Sequence, residues 1–258
     1  ARMQRRKGPS ILQPFYDLGK LFSKQLIAVN NVQLLLNLSY LVILMIAGAM
    51  LFSGADLLMV LFILSTADMF LIMAASSDSS PYANMGASRE MMQMMAYEPM
   101  VLLAAIGFYI AAGSFNVKEI IQADIPPIVY LPGIFVTFVY ILTIKFRKSP
   151  FDLSTSHHAH QEMVRGLTTE LSGNILALVE LSHWYENVFL LGVVGLFVMS
   201  CHWWSIPLAV VVCLLSYFLE VIIDNVFPRV KWQLMLKSAW GVTLIAGGIN
   251  LMIIMLIP

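Results

Sequence analysis

Carboxylates set inside long apolar runs are the groups in this sequence with the most chemistry to offer. Glu90 and Glu98 share one such run, Glu180 and Glu186 a second, Glu220 and Asp224 a third, and Asp68 lies in a fourth. An ionisable group at the bilayer centre costs about 2.5–3.5 kcal/mol on insertion scales and by default marks an ion path or a paired partner. At about 100° per residue on a helix, Glu98 falls within about 80° of Glu90, and Asp224 about 40° from Glu220. Glu180 and Glu186 lie about 120° apart, with His183 between them on the helix wheel. A carboxylate buried with no cation beside it tends to keep its proton, and can pass it on near neutral pH. For any one of these groups, pairing with Arg89 or capping a neighbouring helix is an equally good explanation. For the whole set it is not, because six carboxylates in three runs meet only Arg89 and His183. The expected surplus favours a hydrated acidic path, with Asp68 read instead as a bonded core residue.

A second cluster lies in SPFDLSTSHHAHQE, from Ser149 to Glu162, where His157, His158 and His160 are three of the five histidines in the chain. With Glu162 they offer several metal ligands at close spacing, although adjacent histidines on a helix or strand point apart. Histidine also titrates near physiological pH, which suits a proton relay. A polar loop of this kind can equally be a contact surface for a partner. Other chemistry is excluded more simply. There is no glycine-rich loop opening a helix, as dinucleotide or phosphate use would need, and no HExxH zinc motif. Cys201 and Cys213 stand twelve positions apart in apolar surroundings, which is core usage rather than cluster ligation. No catalytic, cofactor-binding or metal-binding residue is therefore assigned to this chain.

The elements that position these groups follow from hydropathy. Of 258 residues, 59% are hydrophobic and only 12% charged, about half the charge of a soluble domain. The chain reads as an all-α polytopic membrane protein. About 20 apolar residues cross the hydrocarbon core, and seven stretches qualify, near 33–53, 57–75, 85–112, 128–145, 174–199, 206–226 and 238–257. Of the 15 lysines and arginines, all but Lys118 fall on one side of this alternation. By the positive-inside rule that side is cytoplasmic, with the residue 1 end inside and the C-terminus outside. His202, Trp203 and Trp204 sit at the external end of the fifth span, as an aromatic belt would. Residues 9–26 are too polar to span but place Ile11, Phe15, Leu18 and Phe22 three or four apart, the pattern of an amphipathic helix lying at the interface. Residues 1–258 read as one membrane domain, with 1–30 as a basic cytoplasmic segment and 146–172 as the longest remaining loop.

Several segments together resemble one family. RRKGPSILQPFYDLGKLFSK (5–24) is similar to the segment after the first helix of the quinone-chamber membrane subunit of respiratory complex I. GASREMMQMMAYEPMVL (86–102), SPFDL (149–153), TELSG (169–173) and PRVKWQLMLKSAW (228–240) resemble its remaining cytoplasmic motifs in the same order. Two departures, STSHHAHQE after PFDL and Glu90 in GASRE, look like the homologous membrane subunit of energy-converting [NiFe] hydrogenases of the ferredoxin-dependent or carbon-monoxide-linked type. The resemblance implies an eight-span subunit, so one further span is expected before Ala1. It also implies docking of hydrogenase large and small subunits and an iron–sulfur electron-transfer subunit, with an antiporter-like membrane subunit alongside. The [NiFe] centre and iron–sulfur clusters would then belong to those partners, and nucleic acid would have no part.

Residue by residue, Arg89, Glu98, Asp152 and Glu170 match the family's motif positions, and His183 stands where the family has a glutamate. Asp152, His157, His158, His160, Glu162, Arg165 and Glu170 become the residues of a docking loop. Glu90, Glu98, Glu180, Glu186, Glu220, Asp224, His183 and Arg89 become the ion-translocation set. The alternatives are a quinone-chamber subunit of a complex I-type NADH or ferredoxin:quinone oxidoreductase, or of formate hydrogenlyase. A stand-alone transporter would show inverted repeats or paired broken helices, and neither is evident.

Overall fold

The computed structural model describes residues 8, 10–25, 30–156 and 163–256. His157, His158, His160 and Glu162 lie outside the described residues. The elements in order are α1 (Gln13–Phe22), α2 (Asn31–Ser53), α3 (Leu57–Ser76), α4 (Pro81–Ala112), α5 (Val117–Ile121), α6 (Pro132–Lys145), α7 (Gly173–Leu196), α8 (Ser205–Val226), α9 (Trp232–Val242) and α10 (Ile249–Leu256). A π-helical turn, Thr243–Gly248, joins α9 to α10. Among the described residues the only β pairing is two isolated bridges, Asp56 with Asn116 and Ser156 with Val164.

Five of these segments are long and apolar enough to cross a membrane: Asn31–Ser53, Leu57–Ser76, Pro81–Ala112, Ser205–Val226 and Trp232–Leu256. Helix α6 is apolar but has 14 residues, and the 24-residue α7 carries Glu180, His183 and Glu186 in its middle. The chain is thus an all-α polytopic membrane protein, with helices at all seven expected places.

Helix ends are set by local chemistry. Asn30, Asp56 and Ser80 each accept a backbone N–H of the turn they cap, which satisfies donors that have no partner inside the helix. Pro81 follows Ser80 at the first helical position, so α4 begins at 81 rather than at 85 as expected. Gly54 and Gly113 end α2 and α4 with positive φ, a conformation glycine adopts without strain. Pro127 and Pro132 split the expected fourth span into a 3₁₀ turn and a later-starting α6.

Helices α2, α3, α4, α6 and α7 form the packed body, with Tyr40, Phe108, Phe138, Phe189 and Phe197 fully enclosed. Helix α8 buries only Ser205, Ala209, Ser216 and Glu220 and exposes an apolar face from Ile206 to Phe218. Helix α1 lies across α7, where Phe15 meets Trp184 edge-on at 5.2 Å. Asn174, at the start of α7, binds the carbonyls of Leu21, Phe22 and Lys24 at the end of α1.

Candidate functional site: a buried charge cluster beneath the loop

Helix α6 is short, and that places its last residue inside the bundle. At about 1.5 Å per residue it is about 21 Å long, less than the roughly 30 Å hydrocarbon core. Lys145 ends it and is buried. Its ammonium binds Asp68 of α3 and lies 3.0 Å from Glu186 Oε1 of α7. It also sits 4.2 Å above the ring of Tyr97, whose hydroxyl donates to Asp68 at 2.8 Å.

Two residues on, Arg147 turns back with φ near +49°. Its Nη2 is 2.8 Å from Glu90 Oε1 and its Nη1 is 3.1 Å from Glu186 Oε2. Tyr40 of α2 donates to the same Glu186 oxygen at 3.3 Å. Burial opposes the charge on Arg147, but Glu90 and Glu186 more than offset it and raise its pKa. The loop completes the cluster: Ser154 donates to Glu90, and Gln93 of α4 donates to the Phe151 carbonyl at 2.7 Å.

This arrangement corrects the expected surplus of unpaired carboxylates. Lys145 and Arg147 group by sequence with the cations of the basic side, yet they fold back to neutralise Asp68, Glu90 and Glu186. Three carboxylates meet two cations, so a fully ionised cluster carries one net negative charge. Buried ions need such partners, because desolvation otherwise costs several kcal/mol for each.

The other expected residues separate into distinct places. Asp224 accepts the Ser149 N–H at 3.1 Å and so anchors the loop backbone to α8. Asp152 pairs with Arg229 at 3.5 Å. The Arg89 guanidinium lies 5.1 Å over the Trp232 ring. Glu170 and Arg165 are exposed. Glu98 is half-buried and has no hydrogen bond or ion pair among the described residues. Glu220 is enclosed, and both its carboxylate oxygens lack a hydrogen-bond partner there.

Glu180 and His183 face a cavity of about 170 Å³ between α7 and the loop, lined also by Lys145, Arg147, Thr155 and Arg165. The Nε2 of His183 is buried without a partner among the described residues. The loop above is tied at its stem. Arg165 N–H donates to Ser156, Leu167 N–H donates to Ser154, and Tyr82 of α4 exchanges two hydrogen bonds with Val164. Gly86 lets the Gly166–Leu167 backbone lie directly on α4, since any Cβ there would strike it.

Sequence reasoning missed Lys145, Arg147, Tyr40, Tyr97, Gln93 and Ser154 as members of one site. One signal was available: only 14 residues run from Pro132 to Lys145, too few to carry that lysine to the membrane surface.

The comparisons with known proteins agree with this architecture. Hydrogenase-4 component C of Escherichia coli (strain K12) is 28% identical, over 93% of this chain and 83% of its own length. A membrane component of the NADH-quinone oxidoreductase of Rhodospirillum rubrum is 27% identical, over 94% of this chain and 81% of its own. A chain of the membrane-bound sulfane sulfur reductase, an archaeal respiratory membrane complex, superposes with a TM-score of 0.86 at 21% identity, covering 98% of this chain and 90% of that one. The NADH dehydrogenase family model matches residues 1–255. With that match running through every helix that bears the charge cluster, the chain belongs to the NADH dehydrogenase family, as a membrane subunit of the complex I-like and hydrogenase-related kind.

Proposed function

We propose that this chain is the membrane-anchor and ion-coupling subunit of a multi-subunit energy-converting [NiFe] hydrogenase, which links ferredoxin oxidation and hydrogen formation, reversibly, to transport of H⁺ or Na⁺. The observation that carries the reading is the cluster Asp68–Lys145–Glu186–Arg147–Glu90, buried immediately beneath the loop that the family resemblance assigns to docking. Arg147 and Ser154 belong to the loop, whereas Glu90 and Glu186 belong to the bundle. A shift of the loop therefore exchanges ion pairs rather than merely moving surface.

The chemistry of this chain is then electrostatic. The soluble arm docks on residues 146–172 at the cytoplasmic face, and its redox steps displace the loop. Withdrawal of Arg147 leaves Glu90 and Glu186 less neutralised, and each then draws a cation or a proton. His183 and Glu180, at the cavity beside Glu186, supply a route for that proton. Glu98 and Glu220 continue the acidic series toward the antiporter-like subunit. The nickel centre and iron–sulfur clusters reside in the partners, where they supply the electron transfer and hydrogen chemistry.

The cavity at Glu180 and His183 supports the hydrogenase reading over quinone reduction. At about 170 Å³ it is smaller than the roughly 300–1,000 Å³ of sites for organic ligands, and charged groups line it. Purification of the intact complex through this chain tests the proposal. Nickel and iron–sulfur subunits without bound quinone are expected. A nickel-free complex holding quinone would overturn it in favour of a complex I-type subunit.

A further inference from the structure

A second cavity, of about 390 Å³, lies away from the charge cluster, between the loop-side ends of α6, α8 and α9. Its walls come from Tyr140, Phe151, Ile223, Phe227, Val230 and Leu234. The hydroxyl of Tyr140 is already bonded to Ser238 at 2.8 Å, so the space offers little to a polar guest. Apolar cavities do not hold ordered water, and native interiors leave few voids larger than a water molecule. An apolar occupant fits. At the rim Phe227 and Leu234 are 57% and 58% exposed, so the apolar lining continues onto the outside of the bundle.

The same rim is basic. Arg229 and Lys231 flank the wall residue Val230, and Lys148 stands two residues before Pro150, the neighbour of Phe151. Arg229 is partly engaged by Asp152 at 3.5 Å, and the Lys148 ammonium lies 5.5 Å over the Tyr217 ring on α8. Lys231 is exposed, and among the described residues it has no ion pair. A basic mouth above an apolar slot between membrane helices, at the end of the bundle where lysine and arginine concentrate, matches one chemistry: an anionic headgroup on an acyl chain.

We propose that the α6–α8–α9 cavity is a binding site for one anionic phospholipid, with an acyl chain against Ile223 and Leu234 and the phosphate at Lys231 and Arg229. Such a lipid would fill the gap between the packed body and the loosely buried α8 and α9. It would also brace the 226–232 connection, whose Val230 N–H donates to the loop at Pro150.

The test uses the intact complex reconstituted in phosphatidylcholine vesicles containing a minor share of phosphatidylglycerol, then extracted in mild detergent and weighed by native mass spectrometry. One retained phosphatidylglycerol per complex is expected, beyond any held by a variant in which Leu234→Trp fills the slot. Lys231→Gln should lower that retention about tenfold, in line with a contact of about 1.4 kcal/mol. Leu234 is exposed at the rim, so its replacement leaves folding intact and keeps the test decisive if Lys231→Gln assembles poorly. Retention of phosphatidylcholine instead would overturn the headgroup assignment. Loss of no lipid in Leu234→Trp, or no retained lipid in the assembled complex because a partner side chain fills the slot, would overturn the site.

Discussion

Replacing Lys145 by methionine probes the centre of the cluster. The substitution keeps the side chain's bulk but removes an ammonium that binds Asp68 and lies 3.0 Å from Glu186. Glu186 retains Arg147 at 3.1 Å and Tyr40 at 3.3 Å. Asp68 keeps only the Tyr97 hydroxyl at 2.8 Å, and its Oδ1 already has no partner among the described residues. The penalty therefore falls mainly on Asp68, an ion left without a counter-charge in a buried site. Breaking a buried pair from one side costs about 3–5 kcal/mol, whereas removing both partners is often near neutral. The double variant Lys145→Met, Asp68→Asn should thus be more stable than the sum of the two single effects by about 0.5–3 kcal/mol. Detergent-titrated unfolding of the reconstituted subunit, followed by tryptophan fluorescence, measures each corner of this cycle. If the two effects add to within about 0.5 kcal/mol, or if Lys145→Met costs less than about 1 kcal/mol, the two side chains are not an ion pair and the reasoning fails.

Two further outcomes follow from the loop. Gly86→Ala should drive the Gly166–Leu167 backbone off α4 at a cost of about 1–3 kcal/mol, and limited trypsin digestion should then cut faster after Arg165 while the bundle's unfolding midpoint changes little. Replacing His157, His158 and His160 together by alanine should weaken retention of the soluble arm on purification, as loss of a contact surface would. Full assembly with depressed turnover would instead identify the histidines as a relay.

The membrane helices were legible because apolar runs of span length need no tertiary information. Asn31–Ser53 and Leu57–Ser76 have mean window hydropathy of 2.3, and nothing polar interrupts them except Asp68 and a few hydroxyls and amides. The ninth helix was less so: Gln233, Lys237 and Ser238 hide its first turns, and it begins at Trp232 rather than near 238. The site was legible in half. Periodicity pointed to Glu90 and Glu186 as buried acids, since each recurs with apolar neighbours on one face. It could not supply their partners. Lys145 and Arg147 sit at a span end, where lysine and arginine usually extend to the interface, and only the short α6 and the reversed backbone at Arg147 turn them inward. Asp224 illustrates the same limit. Its helical spacing groups it with Glu220, yet its partner is a backbone N–H of Ser149, distant in sequence and invisible to periodicity.

The central claim is that ion pairs made by Arg147 couple the loop to the acidic groups of the bundle. The most direct measurement is hydrogen-driven ion uptake per hydrogen turned over, in vesicles holding the complex with Arg147→Gln. Hydrogen turnover with a soluble dye should stay unchanged, because the partners carry that chemistry, while ion uptake per hydrogen should fall about fivefold or more, the lower end of typical coupling free energies. Uptake that stays in proportion to turnover would contradict the account.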